Sequence, residues 1–480
     1  MSAPPRASAA RRVARNAGAL TVSRVAVLGL NFATWVHLAR TLAPEGFGVL
    51  SFGTAVLAYF LLAVSLGFDE FTIREIARDA RRVQSLAADV LGARLAIAAA
   101  AISLYLGVVL WLDQAPAARL ALALLAVHLL VRAIRLDWVY QGTERMGVIA
   151  LRDAVSALLT VTFALTVVRG PDDLPLAAAA LVVAPLLSNA ALAIAYVREH
   201  GRPRLRLRAD TLKPILTAAI PLAAATFVSE IYYSLDRVML EALRTTAEVG
   251  LYGAAYKVLG LALAPSAVLA PAFFPALANA LGDPARMRVV SRTYARLMLI
   301  VGVPLAVVGP FVSAELLSLL YGADYTPVAS SLTLLFANGA VIYIAMSFGI
   351  PLLAWDRQVA YLKAVLVGGV ANVGLNIWLI APYGPAGAAA ATLLSELAVL
   401  VAIGWLYWRE TGLLHLDLLA MVLGVVAVGV LAPLLLVSYL GGPLWARIAA
   451  VLLVYPIATV ASGAMPRALL RRVFRRSAAP

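Results

Sequence analysis

A chain of 480 residues that is 63% hydrophobic and only 13% charged carries more apolar surface than a water-soluble domain can hide, so it belongs in a membrane. Its formal charge of +14 comes from 39 basic against 25 acidic residues. Cysteine is absent, which excludes disulfides, thiolate chemistry and Cys-ligated metals; four scattered histidines (His37, His128, His200, His415) give no support for a metal cluster, and without a GxxxxGK phosphate loop no ATP hydrolysis by this chain is expected.

Taken in order, the chain opens with a basic arm, 1–15, and a first apolar span at 16–39 that contains Arg24 and is too long for a signal-peptide core. The second span, 47–68, leads into a segment with Arg74, Arg78, Arg81 and Arg82 at helical spacing, expected along the membrane surface. Further spans of about 20 residues follow at 90–112, 117–140, 148–168, 176–197, 215–239, 249–277, 297–321, 328–354, 362–380, 386–408, 418–440 and 444–465. This predicts an all-α integral membrane protein with about 14 transmembrane helices. The expected organisation is the arm 1–15, a six-helix bundle at 16–197, a cytoplasmic linker at 198–213, a second six-helix bundle at 214–408, two additional helices at 409–466 and a basic tail at 467–480.

The basic residues give the orientation. With the N-terminus inside, the inner segments hold about 28 of them and the outer segments about five (Arg40, Arg119, Arg169, Arg244, Arg447). Both termini are therefore expected in the cytoplasm. Topology and attraction to anionic membrane lipids account for the positive charge, and no nucleic acid is expected as a partner.

The chain also repeats itself. ARTLAPEGFGVLSFGTAVLA at 39–58 is echoed by ALRTTAEVGLYGAAYKVLGL at 242–261. In each, Arg-Thr precedes an acidic residue (Glu45, Glu248), and a glycine (Gly48, Gly250) opens an apolar run. ERMGVIALRD from Glu144 pairs likewise with DRQVAYLKAV from Asp356, at a similar offset of about 200 residues, as two homologous halves would produce.

Ionisable residues in hydrocarbon are costly and point to function. At 1.5 Å per residue, Arg24 and Lys257 lie roughly 12 Å inside their spans, too deep to snorkel, and are expected to line a substrate path. Arg132, Arg135 and Arg237 are weaker substrate-binding candidates, since snorkelling explains their positions near span ends, as it does for Arg94 and Asp137; Arg94→Gln is expected to be mild. Glu230 and Glu396 are candidates for a coupling proton or sodium ion, although Glu230 and Arg237 share a helix face and could simply pair. Asn372 and Asn376, four residues apart, could bind sugar hydroxyls or hold helices together. No cofactor is expected.

The segments ARTLAPEGFGVLSFGTAVLAYF, GFDEFTIREIAR, QGTERM, IPLAAATFVSEIYYSLDRVMLEALRTTAEVGLYGAAYKV, FFPAL, YGADYTPVASSLTLL and YGPAGAAAATLLSE, in that order, resemble the polysaccharide transporter family. That family includes the Wzx-like O-antigen flippases of the multidrug/oligosaccharidyl-lipid/polysaccharide exporter superfamily, and the resemblance runs to about Trp408. It implies two six-helix bundles around a central cavity and a transporter rather than an enzyme. The implied activity is alternating-access movement of lipid-linked oligosaccharide across the cytoplasmic membrane, alongside polysaccharide polymerase and assembly proteins. Two alternatives share the superfamily. A multidrug or cation antiporter would need a carboxylate-centred site, whereas the first span holds a basic residue and no acidic one. A lipid II flippase would carry an Arg-rich opening motif that is absent here. A polysaccharide ligase or polymerase would need a large external loop.

Overall fold

In a computed structural model the described residues are 6–65, 67–206, 217 and 234–465, and their regular structure is entirely helical. Eleven helical stretches among them are long and apolar enough to cross a membrane. Two are far too long for a single crossing. Ser23–Ser65 has 43 residues and Gln358–Thr411 has 54, or roughly 65 and 80 Å of helix against a hydrocarbon core of about 30 Å. Each contains a break and combines two of the spans expected from sequence. The span expected at 215–239 lies mostly outside the described residues, as do 1–5, 207–213 of the linker and the tail from 466 onward.

The breaks have local causes. In α1 (Arg6–Ser65), Ala43 leaves helical geometry at φ 57°, ψ 174°, directly before Pro44, which supplies no N–H and crowds the residue before it. The chain then doubles back, because the Trp35 and Phe47 rings stand 5.8 Å apart although 12 residues of straight helix would separate them by about 18 Å. In Gln358–Thr411 the break is Gly384, at φ 53°, ψ −130°, between Pro382 and Pro385. Only glycine adopts that conformation without strain. Asn372 then donates to Ser395 (3.2 Å), and Gly368 faces Val399, so the two arms pack antiparallel.

The chain divides into two compact units, with the boundary between Glu241 and Leu251. In the first unit, α2 (Phe68–Arg78), α3 (Val83–Trp111), α4 (Pro116–Leu125), α5 (Val127–Ile134), α6 (Asp137–Gly142), α7 (Met146–Val167) and α8 (Leu174–His200) follow α1. Phe68, Thr72 and Ile76, spaced four apart, bury one face of α2 in a core with Leu86, Val90, Trp138, Tyr140, Leu192 and Tyr196. Its opposite face exposes Arg74 and Arg78. At its C-terminal end, outside the spans, the hydrogen bond from Arg81 holds the Asp79 carboxyl below its usual range.

The repeated motif forms a reciprocal contact inside this unit. A Cβ on Gly48 would stand 1.9 Å from the Thr246 carbonyl oxygen, and one on Gly250 would stand 1.9 Å from that of Pro44. Both glycines are needed for these backbones to approach. Here α9 (Thr246–Ala278) begins with a capping box: the Glu248 N–H donates to Thr245 Oγ1 (3.3 Å), and the Thr245 N–H donates to the Glu248 carboxylate (3.2 Å).

The second unit holds α9 from Leu251, then α10 (Pro284–Tyr321), α11 (Ala329–Ala354), α12 (Gln358–Thr411), α13 (Leu416–Val426), α14 (Ala432–Tyr439) and α15 (Leu444–Ala461). Tyr343 Oη donates to the Ala262 carbonyl (3.0 Å) beside Pro265, and Trp355 Nε1 donates to that of Leu277 (3.1 Å) near the helix end, where carbonyls lack helical partners. The last helices pack on α10 through Val422, Val426 and Leu434 against Ala295, Leu299 and Val303. Between spans, buried His415 bonds to Tyr407 Oη (2.8 Å), which donates to Ser291 Oγ (2.8 Å). Burial, reinforced by Arg292, pushes the His415 imidazole down to about 4.

Gly250→Ala should lower thermal stability in detergent by about 1–3 kcal/mol, because the backbone it meets has no rotamer to change. Gly260→Ala on the same helix has open space around it and should be neutral or slightly stabilising. Equal melting temperatures for the two variants would refute the close contact.

Candidate functional site

In the first unit, arginines from several apolar helices converge on three aspartates. Asp69, in the first turn of α2, bridges two of them: its Oδ1 accepts from Arg94 on α3 (2.6 Å) and its Oδ2 from Arg132 on α5 (2.8 Å). Arg132 Nε also donates to Ser65 Oγ at the end of α1 (2.7 Å). The break between α5 and α6 gives the cluster its shape. Arg135 leaves helical geometry there at ψ 129°, and its carbonyl, lacking a helical partner, accepts from Trp138 Nε1 (3.2 Å) and more distantly from Arg94 Nη1 (3.4 Å).

The second centre is Asp137, whose Oδ2 accepts from Arg135 and, at 2.8 Å, from Arg152 on α7. Arg152 also pairs with Asp153 (2.9 Å) and donates to Asn189 Oδ1, while the Asn189 amide donates back to the Pro185 carbonyl of its own helix (2.8 Å). Four guanidinium groups, Arg94, Arg132, Arg135 and Arg152, meet three carboxylates, Asp69, Asp137 and Asp153, leaving one positive charge in surplus.

A cavity of about 220 Å³ lies against this network, lined by Arg132, Arg135 and Arg152, by one carboxylate, Asp153, and by His128 and Asn189 among others. It has room for a group the size of a phosphoryl beside the guanidinium groups. The salt bridges fix the guanidinium planes without consuming every donor. Arg132 and Arg135 each engage their partners through Nε and Nη2, which leaves Nη1 for another oxygen. Arginines held this way lose little entropy on binding an oxyanion.

The sequence candidates fall in several places. Arg132 and Arg135 come together in the cluster. Arg94 is fully buried in its salt bridge, which overturns its reading as a snorkelling residue, and Asp137, 6% exposed, turns inward too. Arg24 is exposed on α1, and Lys257 is half-buried on α9 in the second unit. Arg237 donates to Ser234 Oγ (3.1 Å) beside Asp236, and Glu230, its suggested partner, lies outside the described residues. Asn372 and Asn376 are buried between the arms of α12, where Asn376 donates to Asn372 (2.9 Å) and Asn372 to Ser395. Glu396 is buried next to Ser395. Sequence reasoning missed Asp69, Arg152 and Asn189 as site residues. Asp69 stands in the motif GFDE and Asn189 is a lone amide in an apolar span, while Arg152 lies near the start of the span expected at 148–168, where a charge reads as one that reaches water.

Asp69→Asn leaves Arg94 buried without its carboxylate and should cost about 3–5 kcal/mol of stability, with Arg94→Gln comparably severe. Arg145→Gln breaks the half-exposed Arg145–Glu199 pair and the guanidinium contact with the Tyr140 ring (5.3 Å), both at a solvent-facing position, and should cost far less. Thermal unfolding in detergent checks this; similar small losses in all three variants would show that the network carries no structural weight.

The comparisons with known proteins agree with this architecture. Residues 13–281, more than half of the chain, match the family model described as polysaccharide biosynthesis protein. A "Putative O-antigen transporter" from Shigella flexneri is 24% identical over 391 residues, 78% of this chain and 92% of that one. Among solved structures, the lipid II flippase MurJ in an inward closed conformation matches with a TM-score of 0.74 at 13% identity, covering 94% of this chain and 99% of that one. An inward-facing multidrug resistance MATE family transporter of the MOP superfamily matches at 0.64 and 15% identity, over 81% and 95%. At these identities the two structures establish a shared fold. The chain is a multi-pass membrane protein of the polysaccharide biosynthesis protein family, with the fold of the MOP superfamily transporters.

Proposed function

We propose that this protein is a flippase. Its substrate is a polyprenyl-pyrophosphate-linked oligosaccharide, the repeat unit of O-antigen or another surface polysaccharide, which it moves across the cytoplasmic membrane by alternating access. The observation that carries the proposal is the cavity lined by Arg132, Arg135 and Arg152 inside an apolar bundle. A pyrophosphate cannot enter hydrocarbon unaided, and pre-oriented guanidinium groups with spare donors supply the charge-assisted hydrogen bonds that replace its water. The phosphate-bearing end is placed there, with the glycan further along the path. A cation exporter gains nothing from surplus positive charge at such a place.

Arg24, Lys257 and Arg237 complete the proposed path, where further positive charge would hold the anion during its passage. Family membership and the O-antigen transporter relative support the substrate class. Binding an anion equally on both sides only equilibrates it, so net export draws on an ion gradient, the membrane potential or consumption of the product outside. Glu230 and Glu396 are the proposed proton or sodium sites if a gradient is used. Asn372 and Asn376 are proposed to support helix packing. The arginine bias supports 14 helices with both termini in the cytoplasm and product delivered outside to polymerase and assembly proteins.

In proteoliposomes, lipid-linked oligosaccharide added to one leaflet should become accessible to a glycosidase on the other. Arg135→Gln should slow this by about tenfold or more, the scale of one charged hydrogen bond, while the variant remains folded. Extrusion of organic cations without movement of the lipid would overturn the flippase reading in favour of a drug exporter. In cells, reporter fusions after Asp172 should be external and those after Arg208 internal; reversed signals would overturn the orientation.

A further inference from the structure

The second unit carries another basic site, remote in sequence from the arginine cluster. Because α12 folds back at Gly384, its first and last turns lie side by side at the open end of a hairpin, joined across the mouth by the Arg357–Glu410 salt bridge (2.9 Å). Between the arms is a groove of about 520 Å³. Small residues, Ala360, Ala364 and Ala402, keep it open, and Val359, Val367 and Trp405 wall it.

Its rim is charged in a particular way. Arg357 is committed to Glu410, whereas Lys363, which lines the groove, is exposed and makes no hydrogen bond or ion pair among the described residues. Arg409 lies over the Trp405 ring, 4.9 Å from its centroid, and pairs with no carboxylate among the described residues. Counting Asp356, Arg357, Lys363, Arg409 and Glu410, the rim keeps one positive charge. Trp405 is 53% exposed and Trp408 49%, and half-exposed tryptophans beside lysine and arginine are the side chains that settle at the headgroup level of a bilayer.

An apolar furrow ending in Lys363, Arg409 and tryptophan at that depth matches a molecule with an acyl chain and an anionic head. We propose that this groove binds an anionic phospholipid, with one acyl chain along Ala360, Ala364 and Ala402 and the phosphodiester held between Lys363 and Arg409. One surplus positive charge on the rim complements the single negative charge of phosphatidylglycerol. Trp405 contributes twice, as apolar wall and as the platform that orients Arg409. The site is independent of the flippase proposal and would hold whatever the cargo.

Native mass spectrometry of the purified full chain, titrated with phosphatidylglycerol or phosphatidylcholine, tests it. The protein should retain phosphatidylglycerol preferentially, and K363Q/R409Q should weaken that binding roughly 30-fold, about fivefold for each basic residue, while leaving phosphatidylcholine unaffected. Ala360→Trp, which fills the groove without touching a charge, should also displace phosphatidylglycerol at an unchanged melting temperature. Arg74→Gln with Arg78→Gln, exposed arginines of the first unit, should have no effect. Unchanged phosphatidylglycerol binding in K363Q/R409Q, or an equal loss in the Arg74/Arg78 variant, would overturn the proposal. So would displacement of bound phosphatidylglycerol by stoichiometric polyprenyl pyrophosphate, since the groove would then belong to the transported lipid.

Discussion

Arg94 has no exposed surface at all, and a guanidinium in that position persists only because the Asp69 carboxylate stands 2.6 Å away. Removing two ions from water costs several kcal/mol each, and their attraction offsets this only when the geometry is good and the remaining donors are satisfied. Asp69 supplies the geometry by serving Arg94 and Arg132 together, which ties the first turn of α2 to α3 and α5, and among the described residues only Arg94 Nε is left without an acceptor on that guanidinium. The break after Ile134 then turns Arg135 and Asp137 towards Arg152 on α7. Charges that would be liabilities singly thus become a framework joining α2, α3, α5, α6, α7 and, through Asn189, α8, and the cavity beside it inherits their surplus.

The rest of the first unit follows from keeping this framework dry and rigid. Phe68 lies against Arg94, 5.6 Å from ring centroid to guanidinium carbon, and the Phe68–Thr72–Ile76 stripe presses α2 onto the aromatic core around Trp138 and Tyr140. Such a core resists deformation, since interiors are packed as densely as organic crystals. A path for a large anion benefits from fixed dipoles that need no reorganisation at the moment of binding, and arginines already held by carboxylates provide them.

Much of the fold was legible in the sequence, because bilayer thickness imposes about 20 apolar residues per crossing and prolines and glycines punctuate the turns. Pro44 and the Pro382–Gly384–Pro385 cluster fell at the gaps between expected spans, and those gaps are the breaks inside the two longest helices. The repeated Gly48 and Gly250 were visible as a motif, and their reciprocal contacts give the repetition a steric reason. The site was less legible. Depth along a helix says how far a charge lies from water but nothing about its direction, so Arg94 read as a residue near a span end while its side chain turns wholly inward. Asp69 was hidden for the complementary reason: a carboxylate just beyond a span looks solvated until α2 folds over α3 and α5. Asn372 and Asn376 were recognisable as polar, but only the hairpin brings Ser395 opposite them.

The central claim is that the guanidinium groups around the first-unit cavity hold the pyrophosphate of the transported lipid. The direct measurement is equilibrium binding of a polyprenyl-pyrophosphate oligosaccharide to the purified protein, compared with Arg135→Gln and with Arg145→Gln, whose arginine lies on an exposed pair. The account predicts that Arg135→Gln weakens binding about tenfold or more, that the loss shrinks when the ligand carries one phosphate instead of two, and that Arg145→Gln binds like the unaltered chain. Unchanged affinity in a folded Arg135→Gln variant would contradict it.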